Sequence, residues 1–178
     1  VRPEGAATIV KTRFVAAGQQ LLRLDDEQPA VGGYGDKAVF KDAKAILLSD
    51  YAKGVLDDAL IEAALWAARE YGAPVIVDPK GRDFARYGAV DLIKPNASEL
   101  AGATGLPVET DEEVEAALAA LLASTTAKAV VVTRAGKGMT LARRSGGVVH
   151  FPGRAREVYD VSGAGHIIED RKSTRLHS

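Results

Sequence analysis

Apolar residues along this chain follow two alternating rhythms. Residues 43–50, "AKAILLSD", form a short apolar run that ends in polar residues, the pattern of a strand buried in a parallel sheet. Residues 56–72 then place Leu56, Leu60, Ala64 and Ala67 on one helical face, with Leu65 and Trp66 beside it and Gly72 as a stop. "APVIVDPKG" predicts a second strand and "AVDLIKPN" a third, broken by Pro95 and followed by a helix start. Residues 110–124 predict another helix, opened by Thr110 and Glu113 at capping-box spacing. "KAVVVTR" reads as a fourth strand and "GMTLARRSGGVVHF" as a hairpin. Alternation of this kind builds an α/β fold, a mostly parallel sheet flanked by helices.

In such sheets ligands lie beyond the carboxyl ends of the strands. Those ends carry Ser49, Asp50, Tyr51 and Lys53; then Asp78 and Lys80; then Lys94, Asn96 and Glu99; then Thr133, Arg134 and Gly136. A last strand, residues 156–159, leads into the bare turn Gly163, Ala164, Gly165, where backbone N–H groups can approach an anion closely. Each group has a plain structural reading as well. Asn96 and Glu99 have capping-box spacing, Lys53 and Lys80 can be solvated surface, and Gly136 can serve a tight turn. Convergence on one edge favours a site, and lysines, a glycine turn and carboxylates together suit a nucleotide phosphate with its magnesium. Two familiar nucleotide motifs are excluded. "TRAGKGMT" lacks P-loop spacing, and "GAGHII" lacks the third glycine of a dinucleotide fingerprint.

Composition narrows the function classes. The chain has 178 residues, 47% hydrophobic and 26% charged, as soluble globular domains do. A net charge of −1 argues against nucleic acid as a partner. No apolar run reaches the ~20 residues of a membrane-spanning helix, so no membrane partner is expected. With no cysteine, the fold depends on neither disulfides nor thiolate metal sites, which is compatible with a cytoplasmic location.

"LIKPNASEL", "VVVTRAGKGM" and "YDVSGAG", in this order and spacing, resemble the carboxyl half of a PfkB-family, ribokinase-like sugar kinase. "GQQLLRLDDE", "LLSDYAKGVL" and "VIVDPKGRDFARYGAVDLIKPNASE" resemble in particular the branch of that family that phosphorylates D-glycero-β-D-manno-heptose 7-phosphate. The resemblance spans residues 8–165. It implies transfer of the γ-phosphoryl of ATP, with Mg2+, to the C1 hydroxyl of a small sugar phosphate on the way to ADP-heptose and the lipopolysaccharide core. It further implies a partial β lid over the sugar at 8–24, a homodimer, and an adenylyltransferase domain fused to the full-length protein. By the same resemblance Asn96, Ala97, Ser98 and Glu99 match the family's Asn-x-x-Glu motif, with Glu99 acting on the metal indirectly. Thr133 and Gly136 match the turn along ATP, and Gly163, Ala164 and Gly165 match the anion hole. Asp50, Lys53 and Lys80 fall where the phosphorylated sugar approaches. Another sugar as acceptor, or a nucleotide-binding protein without catalysis, stays open beside this reading.

One position departs from the family. An Asp, the general base, follows Gly-Ala-Gly there, whereas this chain has His166. A His can serve as a base near neutral pH. The residues after it, "DRKSTRLHS", lack an apolar stripe and resemble translated sequencing-adapter text. The chain also opens without Met and without the sugar-binding residues that begin such domains. Residues 1–165 are therefore expected to be a kinase domain truncated at both ends and inactive as it stands, and 166–178 a non-native tail.

Overall fold

The computed structural model describes residues 10–16, 19–26 and 36–153. The 156–159 strand, the Gly163–Gly165 turn, His166 and the tail lie outside the described residues.

Two strands, β1 (Val10–Ala16) and β2 (Gln19–Asp26), pair antiparallel in a ribbon. Residues directly opposite one another share a face. Thr12 opposite Leu24 and Phe14 opposite Leu22 thus build one face, with Val10 along it. Lys11 opposite Asp25 and Arg13 opposite Arg23 build the other. Asp25 holds that charged face together, accepting from the Arg23 guanidinium at 2.9 Å and lying 3.8 Å from the Lys11 ammonium. The apolar face, Val10, Phe14, Leu22 and Leu24, is exposed.

The main sheet orders its strands as they occur in the chain: β3 (Ile46–Ser49), β4 (Val75–Asp78), β5 (Leu92–Ile93), β6 (Ala129–Thr133), β7 (Met139–Arg143) and β8 (Val148–Phe151). Pairing is parallel from β3 to β6 and antiparallel from β6 to β8. The parallel run brings four carboxyl ends to one edge, as the sequence pattern predicts. Helix α1 (Asp58–Tyr71) follows β3, α2 (Ala97–Thr104) follows β5, and α3 (Asp111–Ser124) leads to β6.

Local chemistry fixes the helix ends. The Asp57 carboxylate caps α1 by accepting from the Leu60 amide at 2.8 Å, and Gly72 ends the helix at φ 65°, a left-handed conformation cheap only for glycine. Thr110 and Glu113 form the predicted capping box on α3. Ala63, Ala64 and Ala67 let α1 lie close to the sheet, while Val114, Ala117, Leu118 and Leu121 bury the inner stripe of α3. Val75, Val77, Ile93, Val130 and Val132 complete the core.

Two differences from the sequence reading have clear causes. The third strand is only Leu92–Ile93, because Pro95 has no N–H for the ladder and the chain turns into the α2 cap. Residues 43–50 are not buried on both sides. Ile46 and Leu48 are enclosed, whereas Leu47 is 52% exposed, so the described residues leave about half of that side chain open.

Candidate active site

Strand β3 delivers Asp50 to the edge, where its amide donates to the Asp78 carbonyl at 2.9 Å and continues the parallel ladder. The Asp50 carboxylate is buried, with internal donors around it. It accepts from the Tyr87 hydroxyl at 2.7 Å, the Arg86 guanidinium at 3.1 Å and the Ala52 amide at 2.7 Å. Arg86 also donates to the Leu56 carbonyl at 2.9 Å, closing the loop from Asp50 to Leu56. Ala52 sits in that loop at φ 54°, a strained value for a residue with a Cβ. Lys53 lies on the same loop. Tyr87 is fully buried; burial, then its bond to Asp50, pushes the phenol up, so it remains a donor at any physiological pH. Neither Arg86 nor Tyr87 stands out in the sequence, and the only signal available was the basic-aromatic pair inside "RDFARYG".

Two lysine–carboxylate pairs occupy the next strand ends. Lys94 meets Asp78 at 3.1 Å, and Lys80 meets Glu99 at 2.9 Å. Glu99 works twice. Its second oxygen accepts from the Asn96 amide at 2.9 Å, while the Asn96 side chain accepts from the Glu99 amide at 2.9 Å. The capping box is real, and it leaves one Glu99 oxygen facing the edge, where Lys80 holds it. The Lys80 ammonium is raised above its ordinary range, first by this hydrogen bond and then by the Glu99 charge. Lys80 thus sits on the Asn96–Glu99 motif rather than apart from it. Ala97 and Ser98 form the first turn of α2 between those residues.

Thr133 joins the same place. Its amide donates to the Pro95 carbonyl at 3.0 Å, and it bridges Asn96 in parallel register. The turn beyond it, Ala135–Lys137, is anchored from below. Arg134 is buried and pairs with Asp111 at the start of α3. Its guanidinium also reaches Thr140, which contacts His150, which in turn meets Glu115 at 2.9 Å. Gly138 closes the turn at φ 91°, and a Cβ there would meet the Phe151 carbonyl oxygen at 1.9 Å. Gly136 is different: its φ is ordinary for any residue and a Cβ would meet nothing within 4 Å. The tight turn therefore explains Gly138 and leaves Gly136 open to another cause.

The edge brings Asp50, Lys80, Asn96, Ala97, Ser98, Glu99 and Thr133 onto consecutive strand ends, with Lys53 and Gly136 in the loops beyond. Gly163, Ala164, Gly165 and His166 lie outside the described residues. Among the described residues no group of three or more His, Asp or Glu side chains is placed to hold a metal ion.

The fold is that of ribokinase-like proteins. Ribokinase of Arabidopsis thaliana, solved with ribose and ATP, matches with a TM-score of 0.64 at 25% identity, over 84% of this chain and 49% of that one. Ribokinase of Giardia lamblia shares the fold at a TM-score of 0.67 and 17% identity, over 90% of this chain and 52% of that one. The model of the pfkB family of carbohydrate kinases matches residues 2–165, and the chain belongs to that family. The bifunctional protein HldE of Hyphomonas neptunium is 49% identical over 93% of this chain and 36% of its own length. HldE of Gluconacetobacter diazotrophicus is 50% identical over 90% of this chain and 35% of its own. The chain thus spans about a third of the length of these curated relatives.

Proposed function

We propose that this chain is part of a kinase that moves the γ-phosphoryl group of ATP to the C1 hydroxyl of D-glycero-β-D-manno-heptose 7-phosphate. One observation supports this most: Asn96, Glu99, Thr133 and Lys80 meet at one sheet edge, joined by the Lys80–Glu99 pair and the Asn96–Thr133 bridge. The heptose as acceptor rests on "SDYAKG", "QQLLRLD" and "DPKG", together with the identity to the HldE proteins.

The roles follow from charge and position. Thr133 and Gly136 border the nucleotide, and the Arg134 network holds their turn still. Asn96, Ala97, Ser98 and Glu99 present the start of α2 to the phosphates. Glu99 offers one edge-facing carboxylate oxygen, which fits a Mg2+ ion carried mostly by nucleotide oxygens and water. Magnesium, when bound, would neutralise charge on the phosphates. Lys80 and Lys53 offer positive charge to the sugar phosphate and the transferring group. Asp50, with its carboxylate enclosed, shapes the loop that carries Lys53. Gly163, Ala164 and Gly165 would stabilise the transferring phosphoryl, and position 166 would take the hydroxyl proton. Positioning and electrostatics supply most of such catalysis.

The same reading extends to the whole protein. It includes a fused adenylyltransferase domain, a cytoplasmic location, a place in lipopolysaccharide core synthesis, and a homodimer that buries the apolar face of the ribbon. No helix among the described residues is long and apolar enough to cross a membrane. The test compares the 178-residue chain with a chain extended at both ends and carrying Asp at position 166. Both are assayed with ATP, magnesium and heptose 7-phosphate. Turnover by the extended chain alone supports the proposal. Equal turnover by both makes His166 a working base. Turnover by neither points to another sugar or to binding without catalysis.

A further inference from the structure

The Tyr87 side chain bonds to both lysine-bearing loops at the sheet edge. Its hydroxyl donates to the Asp50 carboxylate at 2.7 Å, which fixes the start of the loop holding Lys53. The same oxygen accepts from the Lys80 backbone amide at 3.3 Å, which fixes the other loop beyond β4. One phenol, fully enclosed, therefore ties two segments that lie on neighbouring strands and about thirty residues apart. A buried phenol of this kind is costly to leave without partners, so both contacts hold the loops in one relation. The second feature lies at the other end of Lys80. With its backbone held by Tyr87, its ammonium rests on Glu99 at 2.9 Å. The phenol holds only the backbone of Lys80, and the ammonium pairs separately with Glu99.

We propose that Tyr87 is a positioning residue that sets the Lys53 and Lys80 loops at the spacing the phosphorylated acceptor requires. The inference rests on the functional reading above, which puts the acceptor against those loops. It assigns Tyr87 to the acceptor and not to the nucleotide, because the nucleotide turn is held separately by Arg134, Asp111 and Thr140. Arg86 assists on the Lys53 loop, where it binds Asp50 and the Leu56 carbonyl.

The experiment uses the full-length protein and Tyr87→Phe, which keeps the ring in its core site and deletes the hydroxyl. Steady-state kinetics should show KM for heptose 7-phosphate raised about fivefold to tenfold, the scale of one lost hydrogen bond, with KM for ATP unchanged within about twofold. Amide hydrogen exchange, measured without any substrate, should show faster exchange at 50–56 and at Lys80, with α3 unchanged. A lower melting temperature with both KM values intact would overturn the proposal, as would unchanged exchange in the two loops. Failure of the wild-type protein to use heptose 7-phosphate would refute the functional reading instead, and the exchange result would still decide whether Tyr87 holds the loops.

Discussion

Glu99→Gln separates the two jobs that Glu99 performs. Gln can still accept from the Asn96 amide, since a capping box takes either residue at this position. The Asn96 side chain still accepts from the amide of residue 99, so the α2 cap survives. What goes is the charge that faces Lys80 at 2.9 Å. Lys80 is half exposed, and an exposed ion pair contributes about 0–1 kcal/mol. For a domain of this size that loss lowers the melting temperature by no more than about 2–4 °C. The functional loss should be much larger. A carboxylate that orders magnesium and water at the phosphates acts on developing charge, where one removed group costs roughly 100-fold in kcat. The assay is turnover against magnesium concentration in the full-length protein, beside a thermal melt. A melting temperature lowered by 10 °C or more, on the scale of about 3 kcal/mol, with normal turnover in the folded fraction, would show that Glu99 serves the helix cap alone.

Three further outcomes follow from the same geometry. Gly136→Ala should fold normally and weaken nucleotide binding in calorimetry, because the position is sterically open yet borders the proposed nucleotide; Gly138→Ala should instead lower the melting temperature, since its Cβ would strike the Phe151 carbonyl. Asp91 gives a pH signature: burial opposes its ionisation, but the Lys128 ammonium at 2.7 Å and the Val75 amide at 2.8 Å outweigh it and leave its pKa below 3.8. A lowered carboxyl pKa stabilises the fold above the unfolded value and loses that effect as pH falls through the folded one, so Asp91→Asn should destabilise at pH 7 and converge with the parent as melts are taken to acid pH below the folded value. Arg134→Met should loosen the 135–138 turn, seen as faster amide exchange there, because Asp111 and Thr140 lose their shared partner.

Much of this fold was legible because its signals are local. Gly72, Thr110 and Glu113 mark helix ends within a turn of where they act, and short apolar runs mark strands. The site was legible where parallel topology does the work, since strand ends must converge. What escaped were contacts made across the fold. Asp50 reads as a sugar-facing acid, yet its partners Arg86 and Tyr87 are supplied by a turn after another strand, and no spacing rule links them. Lys80 reads as a sugar ligand, and only the three-dimensional arrangement shows its ammonium on Glu99. The exposure of Leu47 escaped as well, because a run of apolar residues does not say which neighbours will cover each side. Gly136 and Gly138 look alike in sequence, and backbone torsion alone distinguishes them.

The central claim is the identity of the phosphorylated oxygen. Full-length protein, ATP and magnesium should be incubated with heptose 7-phosphate and the product read by phosphorus NMR. The account predicts a second phosphate ester coupled to the anomeric proton, marking C1, with ADP formed in equal amount. ATP consumed without that coupling, or no ester with heptose 7-phosphate while another sugar is phosphorylated, would contradict it.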